Sequence, residues 1–237
     1  MESNFTIKIA IDGPAGAGKT TISKKMAEHF GYRYIDTGAM FRAIALKCLN
    51  NNVEPNDLEK VPALLEITKI EVDYNEEGKQ IVHLDGEDVT EKIRTVEIGK
   101  AASDVGVVPE VRKYLLELQR DLAKKYNVVM DGRDVGTAVL PHADVKIFLT
   151  ASTEDRATRR HKELLAKGIF VTFEEVKKDL KYRDRNDTTR TIAPLKVARD
   201  AIIVDTTDIG LEQSIALLKE VIGDRIYEIV RFHQEHN

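Results

Sequence analysis

Residues Gly13-Pro14-Ala15-Gly16-Ala17-Gly18-Lys19-Thr20 match G-x-x-x-x-G-K-[S/T], and no other stretch restricts the fold so tightly. In the right context this pattern is the phosphate-binding P-loop. An apolar run, Phe5 to Ile11, precedes it and alternates as a strand does. Ile22, Met26 and Phe30 follow at four-residue spacing, one face of a helix. Strand, glycine loop and helix let backbone N–H groups turn inward around a phosphate, at the positive end of the helix. Lys19 can reach β- and γ-phosphates, and the Thr20 hydroxyl can hold Mg²⁺. A glycine-rich turn before an ordinary helix is the plainer reading, and the flanking elements speak against it.

The remaining chain supplies four more strands, giving five at 5–12, 32–36, 127–131, 145–149 and 201–205. Helices separate them, so the expected fold is α/β: a doubly wound, five-stranded parallel sheet of P-loop NTPase type. Asp36 and Thr37 follow the second strand, where such sheets bind ligands, and Arg42 lies on the next helix. Asp36 or Thr37 can equally be a plain helix N-cap. A helix is expected over 57–68, with Leu58, Val61, Leu64 and Leu65 inward. Residues 70–74, 80–84 and 87–89 then switch to strand periodicity, predicting a small antiparallel insertion. His83 reads as a strand surface residue. Helices follow from 96 to 105 and from Pro109, with Ser103 and Arg112 flanking the break; Arg112 alone reads as a solvated helix charge. Asp131-Gly132-Arg133-Asp134 makes another strand-end loop, to which Gly136 is expected to add flexibility.

Between the last two strands the chain turns basic. Arg156 and Arg160 share a helical face, with Arg159 beside them. Lys167-Gly168 breaks that helix, and Thr172-x-x-Glu175 is a capping box that opens another. On the second helix Arg183, Asp187 and Arg190 share one face if it runs that far, and Ala193-Pro194 is expected to end it. A solvated charged hairpin is one reading. A mobile basic lid that excludes water during phosphoryl transfer is the other. The formal net charge of −4 favours the lid, because positive charge is concentrated locally, and it argues against general nucleic-acid affinity.

No segment approaches a membrane span. The N-terminus, Met1 to Asn4, has no basic region, and the apolar run after it is too short for a signal peptide. The single cysteine, Cys48, sits among apolar residues, forms no internal disulfide and suggests a reducing compartment.

These blocks together resemble the nucleoside monophosphate kinases, specifically the bacterial cytidylate kinase family. The resemblance runs nearly end to end: I-D-G-P-A-G-A-G-K-T-T (Ile11–Thr21), D-T-G-A-M-F-R (Asp36–Arg42), L-D-G-E-D-V (Leu84–Val89), D-G-R-D-V-G-T (Asp131–Thr137), V-K-I-F-L (Val145–Leu149) and R-D-x-x-D-x-x-R-x-x-A-P-L (Arg183–Leu195). It implies one kinase domain over 1–237, with a core (1–36, 91–152, 191–237), a monophosphate-binding region with the insertion (about 37–90) and a lid (about 153–190). It also implies transfer of a phosphoryl group from ATP to CMP or dCMP, with Mg²⁺ as the metal. Gly13 to Thr21 would bind ATP phosphates. Thr37, Arg42 and Arg133 would hold the CMP phosphate, with Asp36 shaping that loop. Ser103, Arg112 and Asp134 resemble the cytosine readers, and Arg183 and Asp187 the ribose pair. Arg190 would sit near the transferring phosphate, and Arg156 and Arg160 would close on ATP. Lys19, Arg42, Arg133 and Arg190 would carry the catalysis. Where the family often has tyrosine, this chain has Phe41, which is given no polar role. A kinase for another small acceptor such as UMP, and a nucleotide-dependent switch or ATPase, are the rivals; the guanine motif N-K-x-D is absent. The expected setting is a cytoplasmic enzyme working on small molecules, with no membrane or nucleic-acid partner and nothing demanding more than a monomer.

Overall fold

The computed structural model describes residues 6–236. Phe5, placed in the first strand, and Met1 to Asn4 lie outside the described residues. Strand β1 (Lys8–Asp12) leads through the glycine loop into helix α1 (Lys19–Phe30) and then β2 (Arg33–Asp36) and α2 (Thr37–Asn50). After a short α3 (Lys60–Leu65), strands β3 (Ile70–Tyr74), β4 (Gln80–Leu84) and β5 (Glu87–Asp88) form a separate antiparallel sheet. Helices α4 (Val96–Val105) and α5 (Pro109–Lys124) return the chain to β6 (Val128–Gly132) and β7 (Val145–Thr150). Helices α6 (Thr153–Ala166) and α7 (Phe173–Thr189) precede β8 (Ile202–Asp205), and α8 (Leu211–His236) closes the fold.

The main sheet runs β2-β6-β1-β7-β8, parallel throughout. Its central strands are buried on both faces, as a doubly wound sheet requires. Ile9, Ile11 and Val129 face the core made with α1 and α8. Their neighbours Ala10, Val128 and Met130 face the opposite core, with α2, α4, α5 and the insertion. A smaller cluster, Ala15, Ala157, Leu164, Val176 and Leu180, joins the P-loop to the α6–α7 hairpin. The Thr172–Glu175 capping box is present at the start of α7.

The structure corrects the sequence reading in three places. Helix α3 is half the expected length, and Leu58 is 63% exposed. The Asp57 carboxylate accepts from Glu59 and Lys60 N–H (3.0 and 2.9 Å), which delays the helix start to Lys60. Gly136 is not a flexible point. It is buried in a π-helical turn, Val135–Val139, and its N–H donates to Asp12 Oδ2 at 2.7 Å. Helix α7 ends at Thr189, before the expected stop at Ala193-Pro194, and Arg190 is its C-cap with extended backbone rather than a residue of its face.

Candidate active site

All the strand-end loops named above open onto one cleft of about 640 Å³. Its floor is the P-loop. Here Gly13 lies against β7 so closely that a Cβ would meet Leu149 O at 1.9 Å; only glycine lets the loop turn there. Gly18 precedes α1, and the Lys19 ammonium folds back onto Gly13 O (2.8 Å) and Pro14 O (2.7 Å). Burial, with Arg133 nearby, holds Lys19 well below its ordinary pKa. An anionic ligand would reverse that penalty.

The second wall is the β6 end. Gly132 permits a close approach between turns, since a Cβ there would lie 2.6 Å from Thr37 Oγ1. Thr37 Oγ1 in turn donates to Asp131 O at 2.8 Å. Asp36 caps α2 by accepting from Ala39 N–H at 3.0 Å, and its carboxylate lies 3.6 Å from Arg42 and 3.5 Å from Arg94. The N-cap and the ligand-loop readings of Asp36 are thus compatible: the cap orients the acid that gathers the arginines.

Beyond these loops, α5, β6 and α7 bring together a buried chain of alternating charges. Arg112 Nη2 donates to Asp134 Oδ2, and Arg190 Nη2 donates to Asp134 Oδ1 at 3.0 Å. Arg190 Nη1 also donates to Asp187 Oδ1 (3.3 Å), and Arg133 Nε donates to Asp187 Oδ2 (2.7 Å). Burial pushes Asp187 upward, but Arg133 and Arg190 outweigh it and hold the group below the usual carboxylate range. Burial lowers Arg190 to about 10, with Arg112 adding repulsion, and Arg183 falls to about 10 through burial and the charge of Arg133. Arg183 Nε is buried with no hydrogen-bond partner among the described residues, which leaves an unused donor beside the cleft. Ser103 Oγ accepts from Asn186 Nδ2 at 3.4 Å, which links α4 to α7.

The predicted residues Gly16 to Thr21, Asp36, Thr37, Arg42, Ser103, Arg112, Arg133, Asp134, Arg160, Arg183, Asp187 and Arg190 all line this cleft. Gly13, Pro14 and Ala15 of the same loop are buried and do not line it. Arg156 also does not line it. Its guanidinium is buried behind the P-loop, donating to Ala15 O (2.7 Å), Ala151 O (3.0 Å), Thr153 Oγ1 (3.1 Å) and Asp184 Oδ2 (2.7 Å). Arg159 and Glu163 of α6 and Lys167 just after it line the cleft beside Arg160, as do Ile209 to Leu211 at the start of α8. Arg159 is fixed there by donating to Thr206 O and Ile209 O (2.5 and 3.3 Å).

Three further residues escaped the sequence reading. Arg94 has no motif around it; only the fold carries it to Asp36. Phe41 lines the cleft with the Arg112 guanidinium 5.5 Å from its ring centre. Asp131 was visible as a strand-end acid but had no assigned role. It accepts from Tyr34 OH at 2.8 Å and from Thr20 Oγ1 at 3.2 Å. Burial, and then the neighbouring Asp36, raise its pKa to about 6. A hydroxyl and a carboxylate beside the P-loop are hard oxygen donors, which suit Mg²⁺. Among the described residues no cluster of three or more His, Cys, Asp or Glu forms a metal site.

A family model described as cytidylate kinase matches residues 9–223. A cytidylate kinase of Caldicellulosiruptor bescii is 51% identical over 225 residues, covering 95% of this chain and 97% of the relative. One from Carboxydothermus hydrogenoformans is 52% identical over 217 residues, covering 92% and 97%. Among solved structures, an uncharacterized protein from Eubacterium ventriosum superposes with a TM-score of 0.51 at 12% identity, covering 93% of this chain and 99% of that one. That last likeness concerns the fold alone.

Proposed function

The chain belongs to the cytidylate kinase family and acts as a nucleoside monophosphate kinase, and we propose that its cleft transfers the γ-phosphoryl group of Mg·ATP in line to CMP and dCMP, giving CDP and dCDP. The observation that carries the proposal is the buried chain Arg112–Asp134–Arg190–Asp187–Arg133, which faces the P-loop across one cleft. It sets a base-reading pair at one end and a cationic phosphate clamp at the other.

Cytosine offers a donor at N4 and acceptors at N3 and O2. In this reading Asp134 accepts from N4, because each carboxylate oxygen keeps a free lone pair after pairing with arginine. Arg112 and Ser103 donate to the acceptors. Uracil reverses the pattern at positions 3 and 4 and would leave buried charges badly paired. Arg183 and Asp187 contact the ribose. Thr37, Arg42, Arg94 and Arg133 hold the acceptor phosphate, whose oxygen is already ionised near neutral pH, so no general base is needed. Lys19, released from its own loop carbonyls, and the backbone of Gly13 to Thr21 stabilise the donor phosphates. Thr20 and Asp131 would hold Mg²⁺, which would neutralise charge on those phosphates. Arg159 and Arg160 line the donor side, and Arg156 serves it by fixing the Ala15 carbonyl. Catalysis on this account is positioning plus electrostatic stabilisation.

The same reading divides the chain into a core (1–36, 91–152, 191–237), an acceptor region (about 37–90) and a lid (about 153–190). It describes a cytoplasmic monomer without nucleic-acid partners. Among the described residues no helix is long and apolar enough to cross a membrane.

The test is ADP release from Mg·ATP with CMP, dCMP, UMP, AMP and no acceptor, side by side. Fast release with CMP and dCMP alone is expected. Release indifferent to the acceptor would defeat the cytosine assignments. In the same assay Arg133→Ala should lower turnover by at least about 10²-fold, and near-normal turnover would remove Arg133 from the mechanism.

A further inference from the structure

Among the described residues, strand β2 is an edge strand, paired only with β6. Its outer N–H and C=O groups therefore need partners from elsewhere. The antiparallel insertion supplies them with side chains. Gln80 Oε1 accepts from Asp36 N–H at 2.7 Å, and Gln80 Nε2 donates to Asp36 O at 3.2 Å. Tyr74, opposite Gln80 in the β3–β4 register, donates its hydroxyl to Tyr34 O at 3.3 Å. One side-chain amide thus satisfies both backbone groups of Asp36, as a neighbouring strand would.

Asp36 is the residue on which the acceptor turn depends. Its carboxylate caps α2, lies beside Arg42 and Arg94, and precedes Thr37. Rotation of the Asp36 peptide would re-aim the cap and both arginines together. We propose that Gln80 is a positioning residue for the acceptor-phosphate turn: its amide clamps the Asp36 backbone, so the insertion sets the aim of Thr37, Arg42 and Arg94. The inference rests on the reading of that turn as the acceptor-phosphate site. It differs from a merely architectural role for Gln80, which would hold the insertion in place without affecting the cleft.

The test uses Gln80→Met, which keeps the side-chain length and loses both bonds, together with Gln80→Ala and Arg42→Ala. KM and kcat are measured for CMP, UMP and ATP, and thermal unfolding is followed alongside. For both Gln80 variants the KM for CMP should rise about tenfold, the expected size for losing one oriented hydrogen bond. The KM for UMP should rise by the same factor, because base readers lie on α4, α5 and the β6 loop. The KM for ATP and kcat should stay within about threefold of the parent. A lower Tm with an unchanged KM for CMP would overturn the inference, as would an equal rise in the KM for ATP. If Arg42→Ala raises the KM for CMP and Gln80→Met does not, the inference alone fails. If Arg42→Ala leaves it unchanged, the phosphate reading of the turn fails and the inference falls with it.

Discussion

Asp131 and Asp12 are carboxylates placed where ionisation is costly. Both are 4% exposed, and burial raises each to about 6. Asp12 is tied down by N–H donors from Val135 (2.8 Å) and Gly136 (2.7 Å). Asp131 instead faces Thr20 and Tyr34, two hydroxyls. A carboxyl group whose folded pKa exceeds its unfolded value, near 4, binds more protons folded than unfolded between about pH 4 and 6. Stability from that group therefore falls as the pH rises through this window. Above it, the loss is on the order of 3 kcal/mol. Asp131→Asn keeps an acceptor for Tyr34 and removes the charge. At pH 8 it should unfold roughly 6–12 °C higher than the parent, with the difference vanishing by about pH 4, while turnover with Mg·ATP drops about 10²-fold. A variant less stable than its parent at pH 8 would mean that Asp131 is a structural anion. Asp134 supports a separate prediction. With Asp134→Asn, the ratio of kcat/KM for CMP over UMP should fall about 100-fold, because an amide can serve either base pattern. An unchanged ratio would place base selection elsewhere.

The elements that carry the site were legible to different degrees. The P-loop strand and helix, the five parallel strands and the α7 face with Arg183 and Asp187 follow from periodicity, because burial on fixed faces enforces it, whereas Arg190 sits just past the helix end as its C-cap. Arg156 shows where periodicity stops. Helical spacing puts it on one face with Arg160, but which arginine turns toward ligand depends on how the α6–α7 hairpin docks. Docking is settled by the Ala15–Leu180 cluster and by Asp184. Asp184 Oδ1 accepts from Ala15 N–H (3.0 Å), and Oδ2 accepts from Arg156 (2.7 Å), so the hairpin grips both backbone groups of Ala15. Gln80 and Arg94 were invisible for the same reason, since their partners lie 44 and 58 residues away. The grip makes a prediction at this scale. Asp184→Ala leaves the Arg156 guanidinium buried with carbonyls and a hydroxyl but no acid. Loss of one partner of a largely buried pair costs about 3 kcal/mol, or a Tm fall of roughly 6–12 °C. The loosened loop should raise the KM for ATP several-fold with little change for CMP. Equal effects on both substrates would show that the hairpin supports the whole cleft rather than its donor half.

Across the whole molecule, charge is sorted rather than balanced. The chain has 36 lysines and arginines against 40 acids, yet ten of those cations and only five of the acids line the cleft. The exterior is therefore acidic around a cationic interior. Low-dielectric walls strengthen such a field and draw in small anions, whereas an acidic surface repels a long polyanion. Duplex nucleic acid gains affinity from many phosphate contacts along an exposed basic stripe, and a cleft of about 640 Å³ cannot admit it. Inorganic tripolyphosphate can enter. At 0.15 M salt it should inhibit competitively with ATP and raise the Tm in a concentration-dependent way, because ligands that bind only the folded state stabilise it. A duplex DNA of equal phosphate concentration should do neither. Inhibition or stabilisation by the duplex would show that the basic residues of α6 and α7 present an outward face, and the lid reading of that hairpin would lose its electrostatic basis.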